Sequence, residues 1–265
     1  MLKRKATLAF ATAMILSFAG CAVHAESNEQ KDEKNSSQTE TQLEGSLYIY
    51  CGAGMQQPFQ EIADAFQEKT DCEMNVMYAN AAQIQTQIQE SQEGDFFISG
   101  SKEELKPVEE FVSSSEDLVK HIPVLVVKEG NEKNIQGLND LAQDGITTVI
   151  GDPESTPIGK IAKKAFADFK IDDKVTIAAT TTTAPQLATV VGLGEADAAI
   201  IWKENAKADG VELCETSDLD AYVKVIPAAR LSFSENTDAA DAFTEFLGTK
   251  EVHEIWESFG YELVQ

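Results

Sequence analysis

The chain reads as an α/β protein of two lobes, each a mostly parallel sheet with flanking helices. Short β-branched or aromatic runs alternate with segments whose apolar residues recur at helical spacing, and this rhythm restarts near Pro123. From Ser46 onward there are about 220 residues, enough for two modest domains.

The elements follow in order. Leu47 to Tyr50 reads as a strand, and Phe59, Ile62, Ala63 and Phe66 mark the buried face of a helix after Pro58. Met74 to Tyr78 is a second strand, a Gln-rich helix with Ile84 and Ile88 on one face comes next, and Asp95 to Ile98 is a third strand. The second unit opens with the strand Val124 to Val127 and continues with Ile146 to Ile150. A helical pattern opening at Lys160 buries Ile161, Ala162, Ala165, Phe166 and Phe169, and Pro185 suits the first turn of a helix that packs Leu187, Val190 and Val191. Ala198 to Trp202 reads as a buried strand. Val223 to Ile226 follows, then a crossing near Pro227 to Leu231 and two short helices, one with Phe243 and Phe246 inward, the other with Ile255 and Trp256.

The N-terminus predicts export. Lys3, Arg4 and Lys5 precede an apolar run, Ala6 to Phe18, that is too short to span a membrane. Ser17-Phe18-Ala19-Gly20-Cys21 looks like a lipobox, with Phe18 where Leu is usual, so residues 1–20 are expected to be a lipoprotein signal and Cys21 the acylated N-terminus. The rival is plain cleavage after Ala25, which leaves a free periplasmic protein. Residues 21–45 hold almost nothing apolar to bury and read as a disordered tether.

Composition excludes some partners. Against 21 Lys and Arg stand 45 Asp and Glu, a formal net charge of −24 that argues against nucleic acid or an anionic lipid surface. A small anion is still compatible, because salt screens the global field and local N–H dipoles decide short-range binding. Beyond Cys21 there are Cys51, Cys72 and Cys214, which permit at most one internal disulfide and show no metal-ligand spacing. No cofactor is expected. Cys51 as the nucleophile of a secreted enzyme would need a base, and His24, His121 and His253 offer no obvious one.

In open α/β sheets ligands bind where strand ends lead into helices. Four loops qualify. The first, Cys51-Gly52-Ala53-Gly54-Met55, has glycines that let backbone N–H groups approach an anion. The second is Ala79-Asn80-Ala81-Ala82, where Asn80 is also a good helix cap. The third runs from Gly151 to Gly159 into a helix N-terminus, whose unpaired N–H groups and dipole can hold an oxyanion without Lys or Arg; Ser155 or Thr156 could add hydroxyls. The fourth joins Thr180 to Ala184 with Trp202 at a later strand end.

Taken in order, Leu47 to Met55, Tyr78 to Ile88, Asp95-Phe96-Phe97-Ile98-Ser99, Gly151-Asp152-Pro153-Glu154 with Pro157 and Gly159, Gly194-Glu195-Ala196-Asp197-Ala198 with Ile201-Trp202, and Phe259-Gly260-Tyr261 resemble successive landmarks of the periplasmic molybdate-binding proteins of ABC importers. The resemblance implies a two-lobed periplasmic-binding-protein-like fold whose chain crosses the hinge twice, with 46–122 plus 231–265 as one lobe and 123–230 as the other. It also implies closure on molybdate or tungstate and delivery to an ABC permease, and with the lipobox the expected form is a monomer held to the membrane through Cys21.

Carried over by position, the ligand-binding residues are Ala53, Gly54, Met55, Asn80, Ala81, Thr156, Ile158, Thr183, Ala184 and Trp202. Two departures stand out. The family's two serines fall at Gly54 and Ala81, and its tyrosine falls at Trp202, which donates but cannot accept. Thr156, Thr182 and Thr183 are the residues that could replace the lost hydroxyls. A different oxyanion or a small organic anion is the alternative ligand.

Overall fold

The computed structural model describes residues 43–264, and the export signal, the lipobox at Cys21 and most of the proposed tether lie outside them. Two sheets organise these residues. In the first, β1 (Ser46–Gly52) pairs in parallel with β2 (Glu73–Ala79) and with β3 (Phe96–Ile98). On the far side of β3 lie β10 (Lys224–Leu231), β4 (Val112–His121) and β11 (Glu262–Leu263), all in antiparallel pairings, giving the order β11-β4-β10-β3-β1-β2.

The second sheet has the order β7-β6-β8-β5-β9. Its β6 (Thr147–Gly151) runs parallel to β7 (Thr176–Thr181) and to β8 (Ala198–Trp202), whereas β5 (Pro123–Lys128) lies antiparallel to β8 and to β9 (Val211–Leu213). Both sheets are therefore mixed, with a parallel βαβ centre and antiparallel additions. Every parallel crossover is a helix: α1 (Gln56–Thr70), α2 (Ala81–Ser91), α3 (Pro157–Asp168) and α4 (Ala184–Gly192).

Each lobe has its own core. In the first, α1 lays Phe59, Ile62 and Phe66 against β1 and β3, and α5 (Thr237–Leu247) and α6 (Lys250–Ser258) cover the same face. Phe243 sits edge-on to Phe59, Phe66 and Phe96 with centroids 6.4, 5.0 and 5.2 Å away, so four rings fill one space. The opposite face of the sheet is sealed by Ile84 and Ile88 of α2 against Tyr50 and Phe97. The second core joins Leu125, Val149 and Ile200 to Ile161, Ala165 and Phe166 of α3 and Leu187 and Val191 of α4. Burial of each such side chain contributes about 1.5–3 kcal/mol.

Several boundaries differ from the sequence reading. Leu43 to Gly45, assigned by composition to the tether, is held to the fold: Leu43 N–H donates to Thr70 O and Gly45 O accepts from Glu73 N–H. Helix α3 opens at Pro157 rather than Lys160, because Thr156 caps it. β10 lies wholly in the first sheet, so the chain returns before Lys224 and not at 231; Pro227 lies inside the strand at a register shift, where a missing N–H is tolerated. The outward crossing falls at Ile122, between β4 and β5.

Candidate functional site

The four loops form two adjoining pairs. β1 and β2 end side by side, with Gly52 opposite Ala79, so the turn Ala53–Met55 and the start of α2 are neighbours. In the second lobe β6 and β7 end together, with Gly151 opposite Thr181, which sets the start of α3 beside the start of α4. All four helix starts thus lie at the carboxyl ends of parallel strands.

Close packing seats these starts on the sheets. A Cβ on Gly159 would lie 2.3 Å from Gly151 O and 2.4 Å from Asp152 O, so only glycine lets α3 rest on the end of β6. In the first lobe a Cβ on Gly52 would meet the Met55 methyl at 2.9 Å. The Met55 side chain itself is buried in the core, so at this position only the backbone faces the loop.

Side chains already occupy part of the donor set. Asn80 forms a capping box with Gln83, accepting its N–H at 3.0 Å, and the capping role foreseen for it is the one it performs. Thr156 donates its hydroxyl to Asp152 O at 2.8 Å and accepts from Gly159 N–H at 3.1 Å, which leaves it no proton to replace a lost serine. Asp152 takes the N–H groups of Glu154 and Ser155 and the Ser155 hydroxyl, which hold its carboxyl below the usual range.

What stays open is backbone. Among the described residues no hydrogen bond takes the N–H of Ala53, Gly54, Ala81, Ile158 or Ala184, and neither the Ala53 turn nor α4 has a side-chain cap. The side chains of Thr182 and Thr183 are exposed and, among the described residues, have no hydrogen-bond partner, while Thr181 donates to Thr183 O. Around Gly54 a Cβ would meet nothing within 4 Å.

A fifth loop, missed in the sequence reading, ties the lobes together. After β3, Ser99-Gly100-Ser101 runs beside the first loop, and Gly100 N lies 3.9 Å from where a Gly52 Cβ would be. Gly100 N–H donates to Glu104 Oε2 at 2.8 Å, and Gly100 O is 3.2 Å from His121 Nδ1. The His121 ring stacks on Trp202 of the second lobe, with centroids 3.5 Å apart and planes at 19°. Its Nε2 reaches Glu204 Oε1 at 3.1 Å, and Tyr261 hydrogen-bonds the same carboxylate. This chain of contacts runs from the first-lobe loops to Trp202. The signal available was the extra strand end at Ile98, a carboxyl end like the other four.

Cys51 is unsuited to nucleophilic work, since it is fully buried and burial pushes its thiol well above the ordinary value. Cys51, Cys72 and Cys214 are all free and buried. Among the described residues no group of three His, Cys, Asp or Glu side chains could hold a metal ion, and no helix is long and apolar enough to cross a membrane. A groove of about 380 Å³ lies beside the hinge, lined by Lys120, Lys203, Cys214 and Glu262 among others, away from the helix starts.

Residues 47–262 match the family model described as bacterial extracellular solute-binding protein. A Haemophilus influenzae protein assigned as a binding protein is 28% identical over 166 residues, 60% of this chain and 67% of that one. Among solved structures, the substrate-binding domain of a transporter assigned as a molybdenum ABC transporter from Clostridium difficile superposes with a TM-score of 0.71 at 25% identity, covering 84% of this chain and all of that one. The sulfate-binding protein SubI of Mycobacterium tuberculosis gives 0.66 at 16% identity, over 84% of this chain and 88% of its own, a likeness of fold.

Proposed function

Because the chain belongs to the bacterial extracellular solute-binding proteins, we propose that it captures a small oxyanion, molybdate or tungstate first, and delivers it to the permease of an ABC importer. One observation carries the reading: helix starts from both lobes, gathered in adjoining pairs at strand ends, offer unpaired backbone N–H groups in a chain of net charge −24. Such donors bind a compact anion through aligned dipoles, and no guanidinium is needed. The Clostridium difficile relative supports molybdate as the ligand to test first.

Ala53, Gly54, Ala81, Ile158 and Ala184 would contribute backbone N–H groups. Trp202 would add its indole N–H, with the ring held by the His121 stack. Met55, Asn80, Thr156 and Thr183 would shape the loops, and only Thr183 has a hydroxyl free to reach a ligand. Binding would be completed by donors of both lobes, so the ligand would favour the closed arrangement that the permease recognises. Cys21 would carry the lipid that keeps the monomer at the membrane.

Parallel isothermal titration with molybdate, tungstate, sulfate and phosphate tests the ligand. Molybdate or tungstate should bind tightest; a clear preference for sulfate or phosphate moves the assignment to another oxyanion, and silence toward all four refutes it. A small organic anion is the second reading, favoured by the missing hydroxyls at Gly54 and Ala81, and native mass spectrometry of the purified protein would reveal it. The anchor has its own test. Wild-type protein should partition into detergent, Cys21→Ser should not, and a lipid-free mature N-terminus at Glu26 would remove the lipoprotein reading.

A further inference from the structure

Beside the first loop stands an ionisable side chain that the backbone account leaves unused. Glu104 stands in the short helical segment after β3, partly buried, with Oε2 accepting from Gly100 N–H at 2.8 Å. Through Gly100 it adjoins Gly52 and the first loop, and on the other side it lies within electrostatic range of Lys160 in the first turns of α3. It therefore stands beside the first-lobe loops, with Lys160 of α3 as its second-lobe charged neighbour.

Among the described residues no cation neutralises it directly, and Glu104 has no ion pair within 4.0 Å. The titratable neighbours are His121 from β4, Lys160 from α3 and Glu103 beside it in the chain, while α2 contributes only the Gln85 amide, bonded to the Glu104 backbone carbonyl. His121 is committed elsewhere, between Gly100 O and Glu204. Burial pushes the Glu104 carboxyl above its usual value, against the lowering effects of Gly100 N–H, His121 and Lys160.

A carboxylate here would face any dianion held by the surrounding N–H groups, and like charges would repel. A carboxylic acid would do the opposite. Its carbonyl oxygen can keep the Gly100 bond while its O–H donates to the ligand.

We propose that Glu104 is a specificity-determining residue of the cleft, presenting a protonated carboxyl as an O–H donor to the bound oxyanion in place of the hydroxyls absent at Gly54 and Ala81, so that capture of a dianion takes up one proton from solvent. The inference rests on the oxyanion reading above. The proton goes to Glu104 Oε1, and no covalent bond to the ligand forms or breaks. An approaching dianion raises the affinity of the carboxyl for that proton, and the protonated carboxyl in turn raises affinity for the dianion, the two effects being equal by linkage. Thr156 cannot play this part because its hydroxyl is spent on Asp152 O.

The sign follows from a raised acid. As pH climbs through the titration of Glu104 in the free protein, each molybdate bound must bring a proton with it, and affinity falls by up to about tenfold per pH unit. Molybdate titrations between about pH 6 and 8.5, in buffers of different ionisation heat, read the proton count directly. Wild type should take up a proton, approaching one per molybdate at the alkaline end. Glu104→Gln keeps an N–H donor at the same place and should bind with no proton uptake and a flat pH profile. Binding by wild type without proton uptake, or an unchanged pH slope in Glu104→Gln, overturns the role of Glu104 and leaves the oxyanion reading standing. No binding of molybdate, tungstate, sulfate or phosphate by wild type at any pH overturns both. The wild-type proton count decides the matter even if the variant folds poorly.

Discussion

Helix starts of two kinds face each other within each lobe. α2 and α3 are closed by side chains, Asn80 with Gln83 in one and Thr156 in the other, whereas the turn at Ala53 and the start of α4 have no side-chain cap. Capping satisfies one orphan N–H and stabilises the protein; leaving the end bare keeps donors for something else. The same terminus cannot fully serve both purposes. Each lobe pairs a start that spends one donor on a side-chain cap, keeping the N–H of Ala81 or Ile158, with one that spends none.

The comparison can be broken most severely where a closed start meets its sheet. Gly159→Ala would place a methyl 2.3 Å from the Gly151 carbonyl and force α3 off β6. The cost is expected at about 3 kcal/mol or more, the upper range for overpacking, because backbone must move. A denaturant midpoint within error of wild type would show that the loop yields freely.

Next in size, Gly54→Pro removes a donor from an open start and should weaken anion binding by about 1–3 kcal/mol, with little change in thermal midpoint. Thr156→Ala should behave in the reverse way. Losing its cap should lower stability by about 0.5–2 kcal/mol, while affinity measured by titration shifts less than in Gly54→Pro. If Thr156→Ala abolishes binding in a folded protein, the Thr156 side chain is itself a ligand group and not only a cap.

The smallest expected effect sharpens the comparison. The pair Gly54→Ser and Ala81→Ser restores two hydroxyls; at Gly54 nothing lies within 4 Å of the new Cβ, so stability should hold. For a molybdate site each hydroxyl that reaches an oxygen should add about 0.5–1.5 kcal/mol of affinity. Weaker binding of the co-purified ligand, with molybdate weak throughout, would mean that the pocket is shaped for a different anion.

Most of the scaffold was legible because its elements bury one face. The periodic Phe59, Ile62, Phe66 and the run Ala198 to Trp202 announce helix and strand by themselves, since those side chains must leave water whatever their partners are. β4 and β7 were not legible. Ser113 to Asp117 and Thr176 to Thr180 are exposed, and they are strands because a neighbour offers backbone hydrogen bonds, which composition does not record. Pro227 misled for a related reason: it looks like a break, yet a bulge accommodates it within β10.

The candidate site divides along the same line. From sequence alone came the α/β class and the four loops, which depend on residue type and local order, and the family resemblance added the absent serines at Gly54 and Ala81 and the tryptophan at Trp202. Tertiary structure decided that Asn80 and Thr156 are spent on caps, that Gly159 is required by contact with Gly151, and that Gly100, Glu104, His121 and Trp202 meet. Those contacts join residues distant in the chain, His121 and Glu204 being 83 apart. A charge or a hydroxyl can be read from its letter, but whether it is free, paired or pressed against a ring depends on what the fold brings to it.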